Sequence, residues 1–408
     1  MMINHANSKQ QLKTKGYTTR ILKRAAIVTI DLPTPDQYGQ DISRDLRTRI
    51  NKKLSINENW MSFDQYMNCV LYDTEFGYYH NGSPKFGSAG DFVTAPELSG
   101  LFGRALAEPI INIIEQMRDP VILEVGAGTG QLAVDLIGTL SAHSVYPRYY
   151  ILETSAELRE RQSSLIASAN MKVEWLDSLP TKPIQGVVLA NEVLDAMPAL
   201  CFTKQDGKMH PLGVQAEKGN FVWSPGKEDY ELSKIVKAIE KRLGYVLPDG
   251  FRSEVCPARD AWITTMAGII EKGAILTIDY GLTEREYYHE QRNSGTLSCY
   301  FKHRMHRDPF KWPGLQDISV WVDFSACARA AEKIGLSVAG YTTQGQFLAN
   351  SAAIQQLGIA DTEDEMRVVQ SLKTLLLPGE MGERFKLLLL SRNLLQNSLP
   401  GRDFRDRL

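Results

Sequence analysis

The spacing of apolar residues divides the chain into two parts. In the first part, side chains such as Phe63 and Met67 recur every three or four positions, which predicts helix. Ser62 is the predicted N-cap of that helix, with Gln65 at the third helical position. Further along, short apolar runs alternate with helical patterns, which is typical of a parallel sheet whose strands are connected by helices.

The α/β part contains seven predicted strands, at 121–124, 149–153, 171–175, 184–190, 273–279, 337–341 and 385–390. Helices are predicted at 98–117, 155–169, 229–243, 258–271 and 323–334. Asp206 and Gly207 lie between two alternating segments, which predicts a β-hairpin at 200–223. Residues 281–318 show no regular pattern, so we expect a long irregular stretch there.

Three glycines at alternate positions follow the first predicted strand. That strand ends at Glu124, and Gly126, Gly128 and Gly130 come next. Glycine permits a sharp turn and a close approach of backbone to ligand, although it also serves ordinary turns. A dinucleotide fingerprint would place its last glycine at Gln131, so the spacing disfavours a nicotinamide cofactor. The pattern resembles motif I of class I S-adenosylmethionine (SAM) methyltransferases.

Three acidic residues follow strands near this loop. Glu124 could anchor the methionine ammonium group of SAM, directly or through water. Glu153 ends the second strand and could accept hydrogen bonds from the ribose hydroxyls. Asp177, after the third strand, could accept from the adenine amino group. Each acid alone is more commonly a solvated strand end, but together with the glycine loop they predict SAM binding.

Polar residues follow the fourth strand, where an acceptor group would lie beside the cofactor. Asn191, Glu192 and Asp195 are the candidate catalytic residues. A helical turn would place Glu192 and Asp195 on one face, and surface charge with helix capping by Asn191 is the alternative. Because the pKa of a guanidinium exceeds about 12, a carboxylate that orients it bidentately is more effective than a general base alone.

The composition argues against several classes of protein but does not indicate a function. Apolar residues make up 43% and charged residues 23% of the chain, as in ordinary soluble proteins, and the net charge of −2 gives no argument for nucleic acid. No apolar run approaches the roughly 20 residues of a membrane-spanning helix. The five cysteines form no C-x-x-C pair, and the histidines show no metal-binding spacing. We therefore expect no metal and a reducing compartment, namely the cytoplasm.

Several short motifs, in order over roughly residues 60–392, resemble the MidA family of class I methyltransferases, which includes a mitochondrial complex I assembly factor that methylates arginine. The matching segments are 76–79, 90–97, 124–130, 190–198, 279–281, 322–324, 343–345 and 381–383. The resemblance implies a Rossmann-like, mostly parallel sheet of seven strands with an added N-terminal helical segment. It also implies SAM as cofactor and an arginine of a protein as the methyl acceptor, which in the mitochondrial member belongs to a respiratory-complex subunit.

The resemblance also assigns further site residues. Asp91 and Thr94 are candidate cofactor contacts, with a capped helix start as the alternative. His303 and His306 are candidates for the acceptor entrance, with exposed loop histidines as the alternative. Trp321 stands where the family is expected to have a histidine, so a catalytic role for that histidine does not carry over.

Together these observations predict four segments. Residues 1–40 are a basic, disordered tail and linker, whose first thirty residues contain no acid. Residues 41–118 are a helical segment that contributes to the active site. Residues 119–395 are the methyltransferase domain, with insertions at about 199–250 and 281–318, and 396–408 are a C-terminal tail. If the basic segment is a transit peptide, the compartment is the mitochondrial matrix instead.

Other functions stay open on the sequence. The chain could be an assembly factor that binds SAM without turnover, or a methyltransferase for another protein side chain or a small molecule. A nucleotide-dependent oxidoreductase is the third class and is disfavoured by Gln131. The sequence does not determine the oligomeric state.

Overall fold

Helices and strands alternate through most of the chain. The structure, a computed structural model, describes residues 32–82, 94–357, 363–395 and 398–408. Within these ranges the helices are α1 (Gln37–Ile56), α2 (Phe63–Tyr72), α3 (Ala95–Leu98), α4 (Leu101–Ile114), α5 (Gln131–Ala142), α6 (Ala156–Ser168), α7 (Tyr230–Leu243), α8 (Pro257–Gly268), α9 (Glu284–Tyr287), α10 (Phe324–Lys333), α11 (Gln344–Ala349), α12 (Ala352–Gln355), α13 (Glu363–Leu376) and α14 (Met381–Arg384). Single 3-10 turns lie at Glu290–Arg292 and Arg405–Arg407.

The strands form three sheets. They are β1 (Met61–Ser62), β2 (Val121–Val125), β3 (Arg148–Leu152), β4 (Glu174–Leu176), β5 (Ile184–Asn191), β6 (Leu200–Gln205), β7 (Lys208–Glu217), β8 (Asn220–Pro225), β9 (Arg252–Val255), β10 (Ile270–Leu282), β11 (Ser298–Phe301), β12 (Arg304–His306), β13 (Asp317–Ser319), β14 (Val322–Asp323), β15 (Ser337–Thr343) and β16 (Phe385–Arg392).

The main sheet contains the seven predicted strands in the order β15-β16-β10-β5-β2-β3-β4. Neighbouring strands from β10 to β4 are parallel, whereas β16 runs antiparallel to both β10 and β15. The short strand β14 adds a parallel pairing at the end of β10. The predicted α/β class and mostly parallel sheet are therefore confirmed.

Apolar residues cover both faces of this sheet. Every residue of β2 is buried, as expected of a parallel strand with helices on both sides. One face packs against α4 and α5 through residues such as Phe102 and Leu136. The other packs against α8 and α10 through residues such as Ile263 and Cys327. This packing leaves the strand ends as the place where a ligand can approach.

The predicted hairpin is part of a larger antiparallel sheet. Strands β6 and β7 turn at Asp206 and Gly207, which both have positive φ, and this confirms the predicted turn. The strands β1, β8 and β9 complete a five-stranded sheet. The predicted segment 200–223 includes the start of β8, whereas β1 and β9 were not predicted. Helices α1 and α2 pack on it through a cluster that includes Phe63 and Val214.

Residues 281–318 are more regular than predicted. They contain α9 and a three-stranded antiparallel sheet in the order β12-β11-β13. Strands of three or four residues are too short to produce a clear alternation of apolar and polar positions, which is why the pattern was hidden. This small sheet packs against the N-terminal segment: the Tyr66 hydroxyl donates to the Pro309 carbonyl at 2.9 Å.

Several predicted boundaries differ from the structure. The predicted helix at 98–117 is divided because Ser99 is extended, with φ −164° and ψ 134°. Ser62 precedes α2 but makes no side-chain cap, since it also belongs to β1. The third strand starts at Glu174 instead of residue 171. Helix α1 starts at Gln37, inside the predicted linker, and Asp36 caps it.

The end of the chain is attached to the sheet. The Phe404 amide donates to the Tyr341 carbonyl at 2.7 Å, and the Thr342 hydroxyl donates to the Arg402 carbonyl at 2.7 Å. Residues 34–408 belong to one compact unit. Among the described helices, none combines the length and apolarity needed to cross a membrane.

Candidate active site

A cavity of about 520 Å³ lies at the carboxyl ends of β2, β3 and β5. Strand order changes direction between β2 and β5, and open α/β sheets bind ligands at such a point. We call the lining residues among 124–132 and 152–158 the glycine-loop half. The lining residues among 191–196, with Tyr72, Tyr79, Tyr280, Tyr300, Asp317 and Trp321, are the carboxylate half.

The glycine loop has the backbone conformation that its sequence predicts. Gly126, Gly128 and Gly130 have φ of +67°, +54° and +86°, which disfavours any residue with a Cβ. Gly126 and Gly128 line the cavity directly. Gly130 instead contacts the next helix, because a Cβ there would lie 3.3 Å from Gln162. The loop thus exposes backbone to the cavity, as close binding of a ligand requires.

Glu124 lines the cavity from a buried position. It is 2% exposed, and its carboxylate accepts a hydrogen bond of 2.8 Å from the Tyr149 hydroxyl. Burial raises its pKa to about 7, although the bond from Tyr149 opposes the shift. A carboxyl group that is costly to ionise in isolation fits a positively charged ligand group beside the loop.

Glu153 is held in place by its neighbours. Its carboxylate accepts from the Ser155 amide at 2.9 Å and from the Gln162 side chain at 3.1 Å. The same Gln162 amide donates to the Gly128 carbonyl at 3.0 Å, and its oxygen accepts from Trp175 at 2.9 Å. Gln162 is fully buried and therefore joins Glu153 to the glycine loop. This link could not be predicted from spacing, since Gln162 lies inside a helix.

Asp177 does not join this group, so the prediction that it contacts adenine is not supported. Its side chain is 90% exposed, pairs with Arg159 at 2.8 Å and is absent from the cavity lining. The reason is topological, because β4 is the outermost strand of the sheet and Asp177 follows it into solvent.

Thr94 does line the cavity and also begins a helix. Its side chain and that of Glu97 form a capping box at the start of α3. Both interpretations of Thr94 are thus compatible with its position. Asp91 lies outside the described residues.

Asn191, Glu192 and Asp195 all line the cavity, but not on a helix. Asn191 ends β5, and Glu192 has φ +54°, so the predicted helical turn is wrong. The Asn191 side chain donates to the Glu192 carboxylate at 3.3 Å. A left-handed residue after the strand turns this segment across the cavity instead of away from it.

Asp195 lies at the centre of a network of buried groups. Its Oδ2 accepts a hydrogen bond from the Tyr280 hydroxyl. Asp279, behind it, accepts from the backbone amides of Leu194 and Asp195 at 2.9 and 3.2 Å. In the part of the chain that the structure describes, Asp195 Oδ1 is buried and has no hydrogen-bond partner. A ligand group that donates a hydrogen bond to this oxygen would satisfy it.

The acids of this half repel one another. Removal from water and the charge of Asp195 raise the pKa of Glu192 to about 8. Burial also raises the pKa of Asp195, and the hydrogen bond from Tyr280 opposes that shift. Burial together with the charges of Asp195 and Glu192 holds the pKa of Asp279 well above its usual range. A bound cation would relieve this repulsion.

Tyrosines from distant segments complete the carboxylate half. Tyr72 and Tyr79 stack with ring centroids 5.4 Å apart. The Tyr79 hydroxyl donates to Asp317 at 3.2 Å, and the Ser319 hydroxyl donates to the same carboxylate at 2.8 Å. Five cavity-lining residues of this half were not predicted from the sequence, namely Tyr72, Tyr79, Tyr280, Tyr300 and Asp317. Tyr79 and Tyr280 do lie in the matched motifs, which was the signal that could have identified them.

His303 and His306 lie outside the cavity lining, contrary to the prediction. His303 is exposed in the β11–β12 turn, where its φ is +59°. His306 is 7% exposed, and its Nδ1 accepts from the Asp308 amide at 3.2 Å. Trp321, which stands at the expected histidine position, does line the cavity and contacts Tyr280 edge to face, with centroids 6.3 Å apart.

Comparison with known proteins gives a consistent assignment. A family model of S-adenosyl-L-methionine-dependent methyltransferases matches residues 105–342. The Drosophila melanogaster protein named protein arginine methyltransferase NDUFAF7 homolog, mitochondrial, is 27% identical over 365 residues, which cover 79% of this chain and 80% of that protein. The Mus musculus protein arginine methyltransferase NDUFAF7, mitochondrial, is 27% identical over 362 residues, 79% of this chain and 78% of that protein.

A solved structure is similar over nearly the whole chain. It is a crystal structure from Burkholderia thailandensis with bound S-adenosyl-homocysteine, 35% identical, with a TM-score of 0.87. The match covers 92% of this chain and 100% of that one.

Fold and cavity therefore define a class I methyltransferase whose cofactor is SAM. Within that class, the chain belongs to the MidA family.

Proposed function

We propose that this methyltransferase transfers the methyl group of SAM to the guanidinium of an arginine in a protein. The observation that carries the proposal is the carboxylate half, in which Asp195 Oδ1 is buried without a partner among the described residues and Glu192 and Asp317 line the same space. A guanidinium is always charged and presents five N–H donors, so it satisfies both the charge and the free acceptor. The curated relatives are named protein arginine methyltransferases, which supports the same acceptor.

The glycine-loop half is the proposed cofactor site. SAM supplies a methyl group bonded to a positively charged sulfur. Glu124 is proposed to hold the methionine ammonium group, and Glu153 the ribose hydroxyls. Gly126 and Gly128 give the space for close backbone approach, and Thr94 contacts the cofactor from the N-terminal segment. These roles follow from cavity lining, burial and the fixed orientation of Glu153.

In the proposed reaction, Glu192 orients the guanidinium and concentrates its charge away from the reacting nitrogen. Asn191 holds the Glu192 carboxylate, and Asp195 accepts from a second edge of the same group. The acceleration comes from alignment and exclusion of water, which supply much of the effect in a displacement reaction. The aromatic side chains around the acids provide the apolar walls for this.

We also propose which protein carries the acceptor arginine and in which compartment the reaction takes place. A respiratory-complex subunit is the candidate that the family resemblance suggests. The relatives' names include the word mitochondrial, which favours the mitochondrial matrix over the cytoplasm. Fractionation of cells that express the tagged full chain tests this, and recovery in the cytosol alone would contradict it.

The acceptor can be identified directly. The protein is incubated with SAM carrying an isotope-labelled methyl group and with cell extract, and the labelled residue is mapped by mass spectrometry. We expect label on arginine. Label on another side chain, or only on a small metabolite, would overturn the arginine acceptor.

Glu192→Gln separates turnover from binding. The change keeps the shape of the side chain and removes the negative charge that the carboxylate takes on beside a bound guanidinium, so we expect methyl transfer to fall about 100-fold, as when a reacting group is misplaced by about 1 Å. Glu284→Gln is the matched control, because Glu284 is a mostly buried carboxylate outside the cavity, paired with Arg242 and Arg329. If Glu192→Gln transfers methyl at the wild-type rate, Glu192 has no catalytic role. If wild-type turnover stays undetectable while Glu192→Gln still rescues a knockout, the protein is an assembly factor that uses SAM as a ligand.

A further inference from the structure

Arg259 is a buried cation next to the carboxylate half that the proposed reaction does not use. It lies in the first turn of α8, is 3% exposed and does not line the cavity. Its guanidinium donates through Nε to the Leu194 carbonyl at 3.1 Å and through its two terminal nitrogens to the carbonyls of Trp321 at 3.3 Å and Val320 at 3.2 Å. All three acceptors are backbone groups.

These three bonds join two segments of the cavity wall. Leu194 lies between Glu192 and Asp195, in the segment after β5. Val320 and Trp321 directly follow β13, which carries Asp317. The Val320 amide also donates to the Asp195 carbonyl at 3.0 Å. The two segments, about 125 positions apart in sequence, thus meet at one guanidinium.

A buried charge is costly unless it is compensated. No ion pair of Arg259 is present among the described residues, yet its charge acts on the acids nearby. It lowers the pKa of Asp195 and of Asp279 against the much larger effect of burial. A buried cation whose hydrogen bonds all go to backbone carbonyls is hard to explain by stability, because an apolar side chain of the same size would avoid the desolvation cost.

We propose that Arg259 is a positioning residue for methyl transfer, because it fixes the segments 192–198 and 317–321 in the arrangement that lets Asp195, Asp317 and Trp321 line one acceptor site. This inference rests on the proposal that the acceptor occupies the carboxylate half. It does not depend on the acceptor being arginine.

The chain contains a matched control. Arg392 also donates three hydrogen bonds to backbone carbonyls, to Ala267 at 2.9 Å, Ile270 at 3.0 Å and Ile334 at 2.8 Å. It lies at the opposite end of the main sheet, since it pairs with Gly273 at the start of β10, and it does not line the cavity. Arg259→Lys and Arg392→Lys therefore remove similar bonds in different places.

The test measures three quantities on the full-length chain. They are the affinity for S-adenosyl-homocysteine by calorimetry, the rate of methyl transfer from labelled SAM to protein in cell extract, and amide hydrogen exchange by mass spectrometry. For Arg259→Lys we expect unchanged affinity, a rate about 100-fold lower, as for a displacement of about 1 Å at a reacting centre, and faster exchange in 192–198 and 317–321. For Arg392→Lys we expect a rate within about threefold of wild type and faster exchange only near Ile270 and Ile334.

Equal losses of rate in the two variants would overturn the proposal, since they would show a general loss of stability. A wild-type rate for Arg259→Lys would also overturn it. If the methyl group is found on a residue other than arginine, the rates are measured on that acceptor and the test stands. If no acceptor is labelled, the exchange data decide: unchanged exchange in 192–198 and 317–321 contradicts the role. Should Arg259→Lys not fold, Arg259→Gln, which keeps amide donors, replaces it with the same expectations.

Discussion

In the glycine-loop half of the cavity, the lining residues come from two consecutive βα units, whereas those of the carboxylate half come from segments spread over most of the chain. Glu124 and Glu153 each end or follow one strand, and the buried side chains of Tyr149 and Gln162 connect the two units. In the carboxylate half, the contact between Tyr79 and Asp317 joins positions 238 apart in sequence. Local chain geometry therefore builds one half, and tertiary packing builds the other.

The two halves also differ in how their charges are satisfied. Glu153 receives two hydrogen bonds from fixed neighbours. By contrast, burial raises the pKa of Asp195, burial and the charges of nearby acids raise the pKa of Asp279, and Asp195 Oδ1 has no hydrogen-bond partner within the described ranges. The difference suggests that the first half is preorganised for a cofactor, while the second gains its full stability only when a cationic acceptor binds.

The largest effect is expected from the glycine loop. Gly128→Val introduces a β-branched side chain at φ +54° on the cavity wall, so we expect SAM affinity to fall more than about 100-fold from backbone strain and loss of space. Gly219→Val is the control, because Gly219 has φ +80° with no atoms nearby that a Cβ would meet. Calorimetry should show wild-type affinity for the control. Equal losses of SAM affinity in both variants would show that the substitution acts by destabilising the folded protein.

A smaller loss of SAM affinity is expected from Glu153 than from the glycine loop, and little or none from Asp177, which follows the neighbouring strand. Glu153→Gln removes a charged acceptor for the ribose hydroxyls, and we expect about a tenfold loss of SAM affinity. Asp177→Asn changes an exposed carboxylate paired with Arg159, and should alter SAM affinity less than about twofold. The same titration checks both. A larger loss for Asp177→Asn would restore its predicted contact with adenine.

The smallest effect concerns stability as a function of pH. The pKa of Glu192 is about 8 in the folded chain against an ordinary value of 4.5, so the folded state binds this proton more tightly than the unfolded state does. The stabilisation is full below pH 4.5 and is lost as the pH rises through about 8. The free energy of unfolding of Glu192→Gln should therefore exceed that of wild type at pH 9, and this advantage should disappear near pH 4.5. A difference that does not change with pH would contradict the raised pKa.

The difference between the two halves also explains which site residues could be predicted from the sequence. The strand, the three glycines and the following helix are local, so Glu124 to Gly130 could be interpreted from spacing alone. Glu192 and Asp195 were identified from their place after β5, although the left-handed turn at Glu192 was not. The exposure of Asp177 could not be foreseen, because nothing in its sequence neighbourhood shows that β4 is the outermost strand of the sheet, and its contact with adenine stays a prediction.

The remaining site residues could not be predicted for a different reason. Tyr300 and Asp317 belong to strands of three or four residues, whose pairing depends on contacts with the N-terminal segment. Arg259 looks like an ordinary helical residue, since its three acceptors lie about 60 positions away in sequence. Such residues acquire a role only when distant segments are packed together.

We expect the two halves of the cavity to be separable, one for the cofactor and one for the acceptor. Calorimetric titration of the Glu192→Gln variant with S-adenosyl-homocysteine tests this most directly. We expect the affinity to stay within about twofold of wild type, because Glu192 lies in the carboxylate half and its loss removes no proposed cofactor contact. A loss of affinity as large as that of Gly128→Val would show that the two halves of the cavity are not separable.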